Sequence, residues 1–186
     1  VDELLHYEEF PIELDRDRTY TQHKLRGQKP HGLWVSVRGE DDWESWCRAE
    51  EFHLNGLKCV HRVTLRRDAN VLWLRTPEEI VRFHMAWSYE TEFEREFAAK
   101  YGDRSYMSER FQRNQWPVDW DKVAENWSGI IIAPYQWSLR YDGPFWYYGM
   151  DCQSGCIWDM RAIETFELAE VNTHEEEMEK EDAQDR

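Results

Sequence analysis

Residues 118–163 read VDWDKVAENWSGIIIAPYQWSLRYDGPFWYYGMDCQSGCIWDMRAI, and this stretch decides the fold. Asp119 or Asp121 can start a short helix, DKVAENW, because an aspartate side chain satisfies the free backbone donors of a first turn. GIIIAP is a short apolar run bounded by glycine and proline, the pattern of a strand buried on both faces. SGCIWD reads as a second strand, running straight into MRAIETFELAEV, which reads as a helix. The loop between the strands places Asp151 and Gln153 just before the second one. A carboxylate at the mouth of a strand, walled by Trp146, Tyr147 and Tyr148, is a candidate chemical site.

Working outward, residues 1–18 mix acids with a few apolar anchors and read as an N-terminal arm. Leu4, Leu5, Tyr7 and Phe10 would dock it on the domain. In residues 19–23, Tyr20 and Gln22 alternate with Thr19, Thr21 and His23, as in a strand. A polar loop with Gly27, Pro30 and Gly32 leads to a second strand, GLWVSV, on which Trp34 and Ser36 share a face. DDWESWCRAEEF is a helix capped by Asp41 or Asp42, with Trp43, Trp46 and Cys47 on its inner face. KCVHRVTL and VLWL are strands joined through Asp68 and Asn70. TPEEIVRFHMAW opens a helix with Thr76 as cap and Pro77 in the first turn, where a missing donor costs least. A break near Ser88 divides it from a further helix. Residues 102–117 have weak periodicity and read as an exposed excursion.

Strands and helices intermix without regular βαβ units. The expectation is therefore a single α+β domain over residues 19–172, with a split, mainly antiparallel sheet flanked by helices. Residues 173–186 hold seven acids and two bases, a run that cannot bury apolar area and reads as an acidic disordered tail.

The 186 residues carry a net charge of −15, and the tail supplies only −5 of it. Binding a nucleic-acid backbone through a broad basic patch is thereby disfavoured. There is no charged-then-apolar leader and no run of about 18 apolar residues, so a soluble chain with no membrane role is expected. Four thinly spread cysteines suit a reduced, cytoplasmic protein better than a disulfide scaffold. Cys152 and Cys156, with His53, Cys59 and His61 elsewhere, lack the paired short spacings of a zinc site, so no metal is expected. Neither a G-x-S-x-G elbow nor a phosphate-cradling G-x-x-x-x-G-K-[ST] loop is present.

Three pieces resemble the ADP-ribosyltransferases, split-sheet enzymes that cleave NAD at its nicotinamide bond. TQHK followed by KPHGLWVSV resembles that family's opening strand with His or Arg, then a strand with a small hydroxyl residue. HRVTLRRDANVLWLRTPEEIVRFHMAW is similar to its middle, and WSGIIIAPY with QSGCIWDMRAI to its last strands. The pieces span residues 19–167. The family usually carries a Glu at the start of the late strand; here that region reads Asp151-Cys152-Gln153-Ser154-Gly155.

The resemblance implies NAD as substrate and an oxocarbenium-like ribose cation, which a carboxylate would stabilise. Asp151 is the first candidate and Asp159 the second, although a helix N-cap also explains Asp159. His23 would hold a ribose hydroxyl or the nicotinamide side, and Ser36 would support the carboxylate or the ribose. Both have ordinary roles open to them as strand residues bonded locally. Trp34, Trp43, Tyr147 or Tyr148 could wall the nicotinamide, though such rings more often pack a core. Arg26, Lys24 or Arg140 could meet the diphosphate. Asp151, His23 and Ser36 are expected to converge on one cleft at the split. The function implied is transfer of ADP-ribose to a macromolecular acceptor, or NAD hydrolysis, as a toxin or effector. The alternative is a non-catalytic acidic binding or inhibitor protein on the same scaffold, with a basic protein as partner.

Overall fold

The computed structural model describes residues 2–22, 29–101 and 113–172. Seven strands form one mixed sheet: β1 (Leu4–Glu8), β2 (Leu33–Val37), β3 (Cys59–Leu65), β4 (Val71–Leu74), β5 (Gly129–Ile132), β6 (Ser154–Ile157) and β7 (Ile163–Val171). Their order is β4-β5-β6-β2-β1-β3-β7. Only β4 and β5 run parallel; every other neighbouring pair is antiparallel. The helices are α1 (Trp43–Ala49), α2 (Pro77–Trp87), α3 (Glu92–Tyr101), α4 (Trp120–Ala124) and α5 (Phe145–Tyr148). The architecture is α+β, as the sequence implies.

The sheet is strongly curled. β3 and β4 lie five inter-strand steps apart, about 24 Å across a flat sheet. Six residue steps join Leu65 to Val71 and reach at most about 22 Å when fully extended. The actual link is shorter still, because Ala69 N donates to Arg66 O and closes a turn (3.0 Å). Side chains from all seven strands therefore meet inside the curl: Leu4, Val35, Val37, Val63, Ile131, Ile157 and Ile163, with Trp73 and Phe166 partly buried beside them. Trp34 and Ser36 alternate with these and look out of the other face. On that outer face Leu74, Ile130, Ile132 and Cys156 pack under α2, α4 and α5 through Ile80, Phe83, Trp120, Val123, Trp146 and Tyr147.

Several expectations hold in detail. Asp42 caps α1 by accepting from Ser45 N, and Asp119 caps α4 by accepting from Lys122 N. Thr76 and Glu79 form a reciprocal capping box at α2, with proline in the first turn. Ser88 ends α2.

Others need correction. Residues 1–18 are no appended arm: Leu4–Glu8 is a central strand, paired with β2 on one side and β3 on the other. Of the strand expected at residues 19–23, the described residues 19–22 form one bridge, Thr19 to Asp159, and His23 lies outside the described residues. Only a 3₁₀ turn (Met160–Ala162) follows β6, and the expected helix is β7. Its sequence, IETFELAEV, shows no strict alternation, and pairing with β3, through a ladder with two register shifts, supplies its backbone partners. β3 and β4 are not a hairpin but stand at opposite sides of the sheet. Of the excursion, residues 102–112 lie outside the described residues, while Asn114 and Pro117 are buried rather than exposed. The tail 173–186 also lies outside them.

Buried His84 gives the fold a pH dependence. Its Nε2 donates to the Arg113 carbonyl (2.8 Å). Burial nevertheless pushes the imidazole below its ordinary value, and the Arg113 guanidinium adds to the effect. The unfolded chain then takes up a proton at about pH 6.5, where the folded chain does not. Stability is thus complete above about pH 6.5 and falls as pH drops toward the lower folded value. Thermal melts at about pH 7.5 and about pH 5.5 should show that loss, and His84→Gln should make it smaller. An equal loss in the variant would assign the effect to other groups.

Candidate active site

β1 and β2 are held together by only two residue pairs, Leu4↔Val37 and Leu5↔Ser36. Beyond them the ladder opens: His6 Nδ1 reaches the carbonyl of Trp34 (2.6 Å), a side chain filling a place a strand amide would take. The sheet forks here into a half made of β4, β5, β6 and β2 and a half made of β1, β3 and β7. A cavity of about 530 Å³ lies in the fork. Leu5, His6, Tyr7 and Glu8 line it from β1, and Leu33, Trp34, Val35 and Ser36 from β2. Met150, Asp151 and Cys152 from the loop entering β6, and Ser154 at the start of that strand, close it.

That loop is pinned in two ways. Gln153 O accepts from Val37 N (3.0 Å), Gln153 N donates to Asp41 O (2.8 Å), and the side-chain amide donates to Val37 O (2.9 Å). Behind Asp151 stands Arg140, whose Nη2 lies 3.5 Å from the carboxylate. Arg140 Nη1 donates to Tyr135 Oη (2.8 Å), which donates in turn to Met150 O (2.7 Å). These partners raise the already high pKa of Arg140, so it is a permanent cation. Asp151 is 26% exposed and Arg140 18%, so their pairing is partly sheltered from water.

The expected site residues divide as follows. Asp151, Ser36, Trp34 and Trp43 all line the cavity. Ser36 also has a structural task, because its Oγ accepts from Trp43 N (2.9 Å) at the start of α1. That bond leaves its hydroxyl proton free to donate. Tyr147 and Tyr148 do not wall this cavity. WYYG is helical rather than extended, which buries Tyr147 in the core and leaves Tyr148 on the surface, 53% exposed. Trp146 is likewise in the core. Asp159 caps the 3₁₀ turn after β6 and takes two hydrogen bonds from the Arg161 guanidinium, which hold its pKa low. Arg140 braces Asp151 from behind. His23, Lys24 and Arg26 lie outside the described residues.

Compared with protein families, curated proteins and solved structures, the chain matches none.

Several lining residues escaped the sequence reading. Arg18 sits over the Tyr20 ring (4.2 Å) and Lys29 over the Trp34 ring (5.1 Å), so two cations face the cavity of an otherwise acidic protein. Lys29 Nζ also donates to Gly149 O (2.7 Å), tying the β2 approach to the Asp151 loop. Chemically, the cavity offers two carboxylates, Asp151 and the His6-paired Glu8 (3.2 Å), with hydroxyls, aromatic faces and two cations. It offers no thiol nucleophile, since burial pushes Cys152 up to about 12 and keeps it protonated at neutral pH. Among the described residues, no helix is long and apolar enough to cross a membrane.

Proposed function

We propose that the chain is an ADP-ribosyltransferase-like enzyme that uses NAD as substrate, passing ADP-ribose to a macromolecular acceptor or to water. One observation carries the reading: Asp151, more than a hundred residues from Trp34 and Ser36 of β2, lines a single cavity with them at the fork of the sheet. Its volume of about 530 Å³ falls within the range of small-molecule sites.

In this reaction the bond between ribose C1′ and the nicotinamide nitrogen breaks, and the electron pair leaves with nicotinamide. Positive charge grows on C1′ and the ring oxygen. The Asp151 carboxylate stabilises that charge, held in place by Arg140 and the Gln153-pinned loop, so little reorganisation is needed. The Ser36 hydroxyl donates toward a ribose oxygen or the carboxylate. Trp34 and Trp43 give the nicotinamide ring a flat apolar surface. Arg18 and Lys29 take the diphosphate, a role for which the sequence offers Arg26, Lys24 or Arg140. His6 orients Trp34 through its carbonyl. The acceptor then attacks C1′ and releases its proton to solvent.

Incubation with NAD should release nicotinamide, and NAD should raise the melting temperature. No release with any acceptor, together with no thermal shift, would sink the enzymatic reading. One observation favours the alternative of a non-catalytic acidic binding protein: Asp151 already has a cationic partner in Arg140. That alternative predicts a stoichiometric basic partner bound equally well with and without NAD.

A further inference from the structure

Beside the cavity mouth the outer surface carries an aromatic platform. Trp43, itself a lining residue, stacks on Trp46 with ring centroids 5.1 Å apart and planes 16° apart. Phe52 stands edge-on to both, at 6.2 and 5.5 Å. His53 lies 6.0 Å from Phe52 and reaches the cavity lining. Phe52 is 51% exposed and Leu54 45%, so water meets apolar surface here.

The segment that carries the platform is one-sided in charge, although Arg18 and Lys29 stand on the cavity side of Trp43. Residues 40–51 contain Glu40, Asp41, Asp42, Glu44, Glu50 and Glu51 against a single base, Arg48. Arg48 is bound to Glu44 (2.8 Å). Glu40, Glu50 and Glu51 are exposed. Aromatic faces attract cations through their quadrupole, and nearby carboxylates add to the attraction while repelling phosphate.

We propose that the platform of Trp43, Trp46 and Phe52 docks a basic protein segment and lays an arginine side chain against its rings. A guanidinium is planar, weakly hydrated and able to stack, which suits this surface better than an ammonium. As the acceptor-docking surface it rests on the transferase reading and makes the acceptor a basic protein rather than a nucleic acid. As a surface for cationic side chains it stands without that reading.

The test is fluorescence anisotropy of a labelled eight-residue arginine peptide with the full chain, against a glutamate peptide and a single-stranded oligothymidine. The arginine peptide alone should bind, with affinity falling as salt is raised. Phe52→Ala, and separately Glu40→Lys with Glu50→Lys, should each weaken it by about 10-fold or more. Glu164→Lys with Glu167→Lys, on distant β7, should change it by less than about threefold, separating the platform from general acidity. Tighter binding of the oligothymidine, a larger effect of the β7 pair, or unchanged affinity in both platform variants would overturn the proposal. Asp151→Ala should bind the peptide as the wild type does. Platform-dependent binding without nicotinamide release would leave the docking surface standing and the transferase reading fallen. Nicotinamide release with peptide affinity unchanged in both platform variants would mean the reverse.

Discussion

Replacing Asp151 by Ala should lower nicotinamide release from NAD by about 100- to 1,000-fold, the usual cost of losing one preorganised group aimed at transition-state charge. The fold should barely register the change. The lost ion pair with Arg140 is partly solvated at 3.5 Å, which bounds its worth at about 1 kcal/mol. A chain of this size would then lose about 2–4 °C in melting temperature. Arg140 would keep its bond to Tyr135 Oη, so no bare charge is left behind. Asp151→Asn should lose as much activity, since it keeps the shape and removes the charge. Asp151→Glu, which keeps the charge on a longer side chain, should retain part of it. Full turnover in Asp151→Ala would remove the carboxylate from the mechanism, whatever the fold.

Trp146 gives the opposite result. The sequence set it beside Asp151 as a wall of the site, but its ring is buried against Phe83 (5.7 Å) and Trp120 (5.5 Å), at the meeting of α2, α4 and α5. Trp146→Ala should therefore cost about 3–5 kcal/mol through lost transfer energy and the cavity left behind. A typical domain holds only about 5–15 kcal/mol in all. The melting temperature should fall by about 6–20 °C. Trp146→Phe should cost far less, because the ring still fills most of the space. It also removes an indole N–H that is buried without a partner among the described residues. Denaturant melts of the two variants, with NAD cleavage measured on the folded fraction, separate a packing role from a site role. A loss of activity in Trp146→Phe at wild-type stability would return this residue to the site.

What could be read from the chain alone was whatever local chemistry decides. The caps at Asp42, Thr76 and Asp119 hold because a side-chain oxygen satisfies backbone donors two or three residues away, with no distant partner involved. GIIIAP and SGCIWD declare themselves as strands, since continuous apolar runs need cover on both faces. GLWVSV does so by alternation, which also puts Trp34 and Ser36 on the cavity side. Asp151 was found because a lone carboxylate entering a buried strand is conspicuous.

Pairing and curvature were decided elsewhere. LLHYE becomes a central strand only because β2 and β3 flank it, and neither neighbour is named by the residues of LLHYE. IETFELAEV, with its glutamates and leucine, suits a helix on propensity, and the ladder offered by β3 overrides that weak preference. WYYG turns helical, so Tyr147 goes inward and Tyr148 outward by the helix period rather than the strand period. The fork between β1 and β2 belongs to no single segment, and neither do the cations Arg18 and Lys29 at its mouth. Both arise where chains far apart in sequence are brought together, because burying the inner face of a curled sheet leaves its two halves joined by only a short ladder.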